Sequence, residues 1–218
     1  MPEKLRLGQL YRKLYLHKLN KSIGGTRVLD LGCHSYEWLS SIEAKLHIGL
    51  DLEPGYPTVK NTIVKADGCD LPFSNKSLDT IYILDVIEHV ENDKRLIQEA
   101  IRVLKPEGTM IITTPNINIQ IFPRFLTGWI SRKWGHTLRR GYDADELQNF
   151  FNEEVTVSIH KLQAKWYRTF YFPLRMLLLI FPKLAILVLT FFVNQEAKNP
   201  YGENGFLLIE VIKSKIYT

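Results

Sequence analysis

Four aspartates end, or nearly end, successive apolar runs of this 218-residue chain: Asp30 in "TRVLDLGC", Asp51 in "LHIGLD", Asp67 in "TIVKAD" and Asp85 in "LDTIYILD". Carboxylates placed this way suit a ribose diol or a cationic amino group. Gly32, just past the first run, lets the backbone come close to a ligand. Asp51 follows Asp30 by 21 residues, near the spacing of about 20 between a nucleotide-binding turn and its ribose-binding acid. Only one glycine is present, however, and His34 and Tyr36 hold the next two alternate places. No glycine-lined helix N-terminus is offered to a pyrophosphate, which argues against a dinucleotide. His34 tolerates a left-handed turn at modest cost. Tyr36 either points away from the ligand, with its backbone still donating, or narrows the pocket. Singly, each aspartate is as readily a cap or turn residue; in register at strand ends, the set favours a ligand.

The elements that must position these groups follow from hydrophobic periodicity. A basic, leucine-containing helix over residues 1–22 ends near "SIGG", closed by Gly24 and Gly25. "TRVLDL" begins a buried strand, a helix spans about Tyr36 to Ala44, and strands follow at "LHIGLD", "TIVKAD" and "LDTIYILD". The stretch from about Glu91 to Leu104 is an amphipathic helix stopped by "KPEG", and "TMIITTP" is a fifth strand. Strands alternating with helices predict a parallel α/β sheet, whose ligands bind at the carboxyl ends of the strands. Beyond residue 116 an aromatic and basic connection runs to Tyr142, and "DADELQNFF" is a helix with Asp143 or Asp145 as its N-cap. "VTVSIHKLQ" and "GFLLIEVIK" alternate like strands that pair antiparallel at the sheet edge.

"KADGCDLPFSNKSLDTIYILDVIEHV" followed by "EAIRVLKPEGTMIITTPN" resembles the class I S-adenosylmethionine-dependent methyltransferases, particularly the small-molecule group. The likeness runs from about Arg27 to Asn116 and resumes at "GHTLRRGYDADELQNFF". It implies a Rossmann-like, seven-stranded, mostly parallel sheet with helices on both faces and an antiparallel final hairpin. It also implies S-adenosyl-L-methionine as cofactor. By this resemblance the turn at Asp30 and Gly32 holds the methionine part, and Asp51 takes the ribose hydroxyls. Asp67 and the Gly68 backbone read the adenine, Leu71 and Phe73 wall it, and Asp85 sits near the sulfonium. The family pattern would place glycine where His34 and Tyr36 stand.

Methyl transfer is an in-line displacement, in which the protein aligns the partners and supplies a base where the acceptor must lose a proton. His89, just past the fourth strand, is the preferred base; a role for Glu88 and His89 as mere helix openers fits equally well. His136 and Tyr142, from the connection expected to overhang the substrate, are further candidates. Asp85, Glu88 and His89 have a spacing possible for metal ligands, but a structural or substrate-contact role is preferred and no metal is expected.

With 45% hydrophobic and 23% charged residues, one domain is expected. Its core would span residues 26–163 and 205–214, with an apolar helical insertion at 164–204. The formal net charge of +5 favours an anionic partner without naming one. Two cysteines, Cys33 and Cys69, lack any metal or disulfide spacing and fit a reducing, cytoplasmic setting. The first 21 residues are charged throughout, unlike a secretory signal. "TFYFPLRMLLLIFPKLAILVLTFFV" is broken by Arg175, Pro182 and Lys183 into two short apolar pieces, each too short to span a bilayer. Two helices lying at a membrane interface, with Trp129, Trp134, Trp166, Phe170 and Tyr171 at headgroup level, meet that constraint. The alternative is a lid buried on the domain or in a homodimer. The acceptor is then a small or lipid-linked molecule. Nucleic acid is disfavoured, because no [DN]-PP-[FY] follows the fourth strand. An RNA methyltransferase and a catalytically weak cofactor-binding membrane partner are the competing readings.

Overall fold

The structure, a computed structural model, describes residues 7–19, 21, 23–33, 38–53, 62–133 and 138–215. Helix α1 (Leu7–Lys18) precedes strands β1 (Gly25–Leu31), β2 (Ala44–Asp51), β3 (Thr62–Lys65) and β4 (Leu78–Leu84). Helix α2 (Asp93–Val103) leads into β5 (Leu104–Pro115), followed by the short helices α3 (Thr127–Lys133) and α4 (Ala144–Gln148). Strand β6 (Val155–Leu162) then gives way to α5 (Lys165–Thr169), α6 (Tyr171–Ile180) and α7 (Pro182–Glu196), and β7 (Phe206–Lys213) returns to the sheet.

The seven strands form one sheet in the order β3-β2-β1-β4-β5-β7-β6. The first five pair in parallel, and β7 runs antiparallel between β5 and β6. Alternation along each strand feeds two apolar layers, since successive side chains point to opposite faces. Val28, Tyr82, Ile111 and Leu208 pack with α1 and α5–α7 on one face. Leu29, Ile81, Ile83, Met110 and Ile209 pack with Leu96, Ile97 and Ala100 of α2 on the other. Near-continuous apolar runs in β1, β4 and β5 are what a sheet covered on both sides requires.

Three expectations change. The helix expected over Tyr36 to Ala44 is, among the described residues, a single 3-10 turn at Leu39–Ser41. Ala44 already pairs with Gly25 as the first residue of β2, so the strand takes the end of the segment that helical periodicity suggested. Helix α1 ends at Lys18, before the glycines, and Gly25 opens β1 instead. "KPEG" lies within β5 as an irregularity: Leu78 pairs with Leu104, then Thr80 with Thr109, and Glu107 takes a left-handed φ of 61° to close the bulge. Asp143 does cap α4, accepting from the Asp145 N–H.

Candidate functional site

The carboxyl ends of β1, β2 and β4 lie side by side, with Asp30 opposite Gly49 and Tyr82, and Leu31 opposite Leu50 and Ile83. Just past β1, Gly32 turns at φ 77°, and its N–H donates to the Leu50 carbonyl at 2.7 Å. A Cβ there would stand 2.4 Å from Val86 Cγ2, so this position needs glycine for both its φ and its space. The turn brings Asp30, 4% exposed, beside Asp51. Burial, reinforced by the Asp51 charge and opposed by Arg12, pushes the Asp30 carboxyl up to about 8. Asp51 is half-buried and accepts the Glu53 N–H at 3.0 Å.

Asp85 follows β4 with a φ of 53°. Its N–H donates to the Thr113 carbonyl at 2.8 Å, its Oδ1 accepts from Thr113 Oγ1 at 3.0 Å, and its Oδ2 pairs with the Arg12 guanidinium. Arg12 comes from α1, which roofs a cleft also lined by Asp30, Gly32, Cys33, Trp38 and Leu84. Glu88, fully buried, accepts from Thr114 Oγ1 at 3.0 Å. Burial, with Asp85 nearby, holds its carboxyl well above the usual range. His89 is exposed on the 3-10 turn Ile87–His89, at the same edge of the sheet.

At the end of β3, Asp67 is exposed and its Oδ1 accepts the Cys69 N–H at 2.8 Å. Gly68 is packed so that a Cβ would meet Leu31 and Leu96 side-chain carbons at 3.1 Å. Leu71 is buried in the apolar layer under α2, with its N–H held by Glu99 at 2.9 Å. Tyr142, expected to overhang a substrate, is buried instead. Its hydroxyl lies 2.9 Å from the Ile87 carbonyl and 2.7 Å from Asp93 Oδ2, so it braces the loop after β4. Tyr171, expected at a headgroup surface, is also buried. His34, Tyr36, Trp134 and His136 lie outside the described residues. Among the described residues no group of three or more His, Cys, Asp or Glu is placed to hold a metal.

Arg12 and Thr113 join the site without any signal in the sequence around them. Arg12 looks like one more solvated cation of a basic helix, although Leu7, Tyr11 and Tyr15, all buried, mark the inward stripe beside it. A wider groove of about 480 Å³ opens by α2 and α4. Two of its cations are engaged: Lys213 caps the Ile101 and Leu104 carbonyls, and Arg102 binds Glu99.

An open, mostly parallel sheet with acids and a left-handed glycine turn at its carboxyl edge defines a Rossmann-like ligand-binding α/β protein. Residues 29–112 match the family model described as a methyltransferase domain. The chain as a whole has the fold of the class I S-adenosylmethionine-dependent methyltransferases. An uncharacterised protein of Methanocaldococcus jannaschii is 34% identical over 126 residues, covering 51% of this chain and 50% of that protein. A ubiquinone biosynthesis O-methyltransferase of Bradyrhizobium diazoefficiens is 27% identical over 195 residues, covering 74% of this chain and 75% of the relative. Among solved structures, phosphoethanolamine N-methyltransferase 2 of Haemonchus contortus, bound to phosphomonomethylethanolamine and S-adenosylhomocysteine, superposes with a TM-score of 0.60 at 14% identity. The match covers 96% of this chain and 57% of that one. The chain spans about half the length of the first relatives it matches.

Proposed function

We propose that this chain is an S-adenosylmethionine-dependent methyltransferase acting on a small or lipid-linked acceptor, as a cytoplasmic protein held peripherally at a membrane surface. The observation that carries it is the gathering of Asp30, Gly32, Asp51 and Asp85 at the carboxyl ends of β1, β2 and β4. The cofactor, when bound, supplies a methyl group made electrophilic by a sulfonium. The donor set fits it chemically: carboxylates suit its ammonium and its diol, and no phosphate cradle is required. In this reading the Asp30–Gly32 turn receives the amino acid portion and Asp51 the ribose. Asp67, Gly68 and Leu71 lie on the adenine side, and Asp85 stands near the reacting centre, held by Arg12 and Thr113. His89, and His136 from the connection, are the candidate bases. The relative named for ubiquinone biosynthesis supports a small acceptor.

Calorimetric titration of the folded chain with the cofactor tests this. Asp51→Ala removes a charged hydrogen-bond acceptor and is expected to weaken binding about tenfold to hundredfold. Unchanged affinity would remove the ribose assignment, and no binding by the wild-type chain would remove the reading itself.

A further inference from the structure

Helices α6 and α7 each meet the fold's needs with one stripe. Leu174 and Leu178 of α6, and Ala185, Leu189 and Val193 of α7, are buried against α1 and the sheet. Their other faces are apolar as well. Met176, Leu179, Ile180, Phe181, Leu184 and Leu187 are exposed, Phe181 by 60% and Leu187 by 67%. Folding alone does not call for this second apolar surface; a surface helix ordinarily turns polar residues outward.

The exposed side chains cluster around the corner where Ile180 ends α6 and Pro182 begins α7. They surround the corner: Ile186, also exposed, follows Leu184 by two residues, about 200° around the helix. The shape is therefore a wedge, whereas specific protein interfaces are broad patches of matched shape. Further along α7, beyond the exposed Phe191, the outward positions become polar at Asn194 and Gln195. Helix α7 has 15 residues, about 22 Å of rise against a hydrocarbon core of about 30 Å. No described helix is long and apolar enough to cross a membrane.

The charge pattern points the same way. No Asp or Glu occurs from Asn116 to Tyr142 or from Val155 to Gln195, in a chain with 23 acidic residues. Arg175 and Lys183 are exposed beside the corner. The connection before α3 is tied to α5 by Arg168, whose Nη1 donates to the Gln120 carbonyl at 3.0 Å. This connection exposes Arg124 and Phe125, and α3 exposes Arg132 and Lys133 with Trp129; Lys133 Nζ lies 4.3 Å over the Trp129 ring. Apolar side chains with cations and no acids match an interface of acyl chains and anionic headgroups.

We infer that the α6–α7 corner docks on an anionic lipid bilayer, entering the interface at Ile180, Phe181 and Leu187 with Arg175 and Lys183 at the headgroups. This rests on the membrane-surface part of the proposed function and gives it a specific face and lipid charge. The test is flotation of the full chain with phosphatidylcholine vesicles, with and without phosphatidylglycerol. The wild-type chain is expected to float with the anionic vesicles and to lose binding as salt rises. The variant Ile180→Glu/Phe181→Glu/Leu187→Glu changes only exposed positions, so its melting temperature and cofactor affinity should match the wild type. Its vesicle affinity should fall by more than about tenfold. Equal flotation of wild type and variant overturns the inference, as does a wild-type chain that binds cofactor but not anionic vesicles. So does a lipid-free dimer that the variant converts to monomer, which would make the face a protein interface. Cofactor binding is measured separately, so failure of the methyltransferase reading would show there and not in flotation.

Discussion

The carboxyl edge of the sheet and the α6–α7 corner break opposite rules. At the edge, Asp30 and Glu88 are buried carboxyls, which water would otherwise solvate. At the corner, large apolar side chains face outward although the fold has already buried a full stripe of each helix. The apolar layer between the sheet and α2 keeps the usual order, with its leucines and isoleucines buried. The difference teaches that local departures in opposite directions suit opposite contacts. A cation-bearing ligand relieves buried acids, and an apolar medium relieves outward leucines.

Three measurements probe that contrast, from the largest effect down. Leu189 is fully buried on the inner stripe of α7. Leu189→Ala should destabilise the chain by about 2–5 kcal/mol, lowering the melting temperature by roughly 4–20 °C. A smaller loss would mean that the hairpin is not part of the packed core. At the sheet edge, the Asp30 carboxyl is held up to about 8, so it carries a proton at neutral pH. A cationic ligand beside it favours the ionised form and expels that proton. Affinity for the cofactor should therefore climb with pH toward 8, by up to about tenfold per unit, with buffer-dependent enthalpy. Asp30→Asn should abolish that slope. The unfolded chain releases the same proton at an ordinary carboxylate value of about 4. Asp30 therefore withdraws stability progressively as pH rises from there to its folded value of about 8; the Asn variant should melt higher than wild type in alkaline buffer. Leu187→Ser, on the outer face, should shift stability by no more than about 0.5 kcal/mol, detectable as a near-superimposable melting curve beside that of the wild type.

The parallel half of the fold is legible because its strands are short apolar runs with turn residues after each, and Asp51 and Asp85 fall where those runs stop. The antiparallel pair at the end is legible from strict alternation in "VTVSIHKLQ" and "GFLLIEVIK". Contacts made across the chain are less so. Nothing near Arg12 in sequence announces that it meets Asp85, 73 residues away. Nor does the sequence around Tyr142 reveal a hydroxyl partnered with Asp93, 49 residues away. The segment after β1 misleads for a different reason: its pattern is compatible with a helix, but its described residues form only the 3-10 turn Leu39–Ser41 before β2 begins at Ala44. Local periodicity reports which face is buried, whereas a partner distant in sequence is set by the assembled fold.

Helix α1 connects the two contrasted regions through adjacent residues. Tyr11 donates to Glu196 of α7 at 3.0 Å, while Arg12 pairs with Asp85 at the end of β4. Burial raises the Glu196 carboxyl, opposed in part by Tyr11 and by the nearby Lys165 and Trp166 N–H groups at the start of α5. A rigid helix held at two neighbouring points acts as a tie rod: displacement of α7 is transmitted to the guanidinium unless one of the two bonds breaks. The practical consequence concerns protein engineering. Deletions into this helix perturb the cleft at the sheet edge and the hairpin together, so a chain shortened for crystallisation is no longer a neutral reference for either.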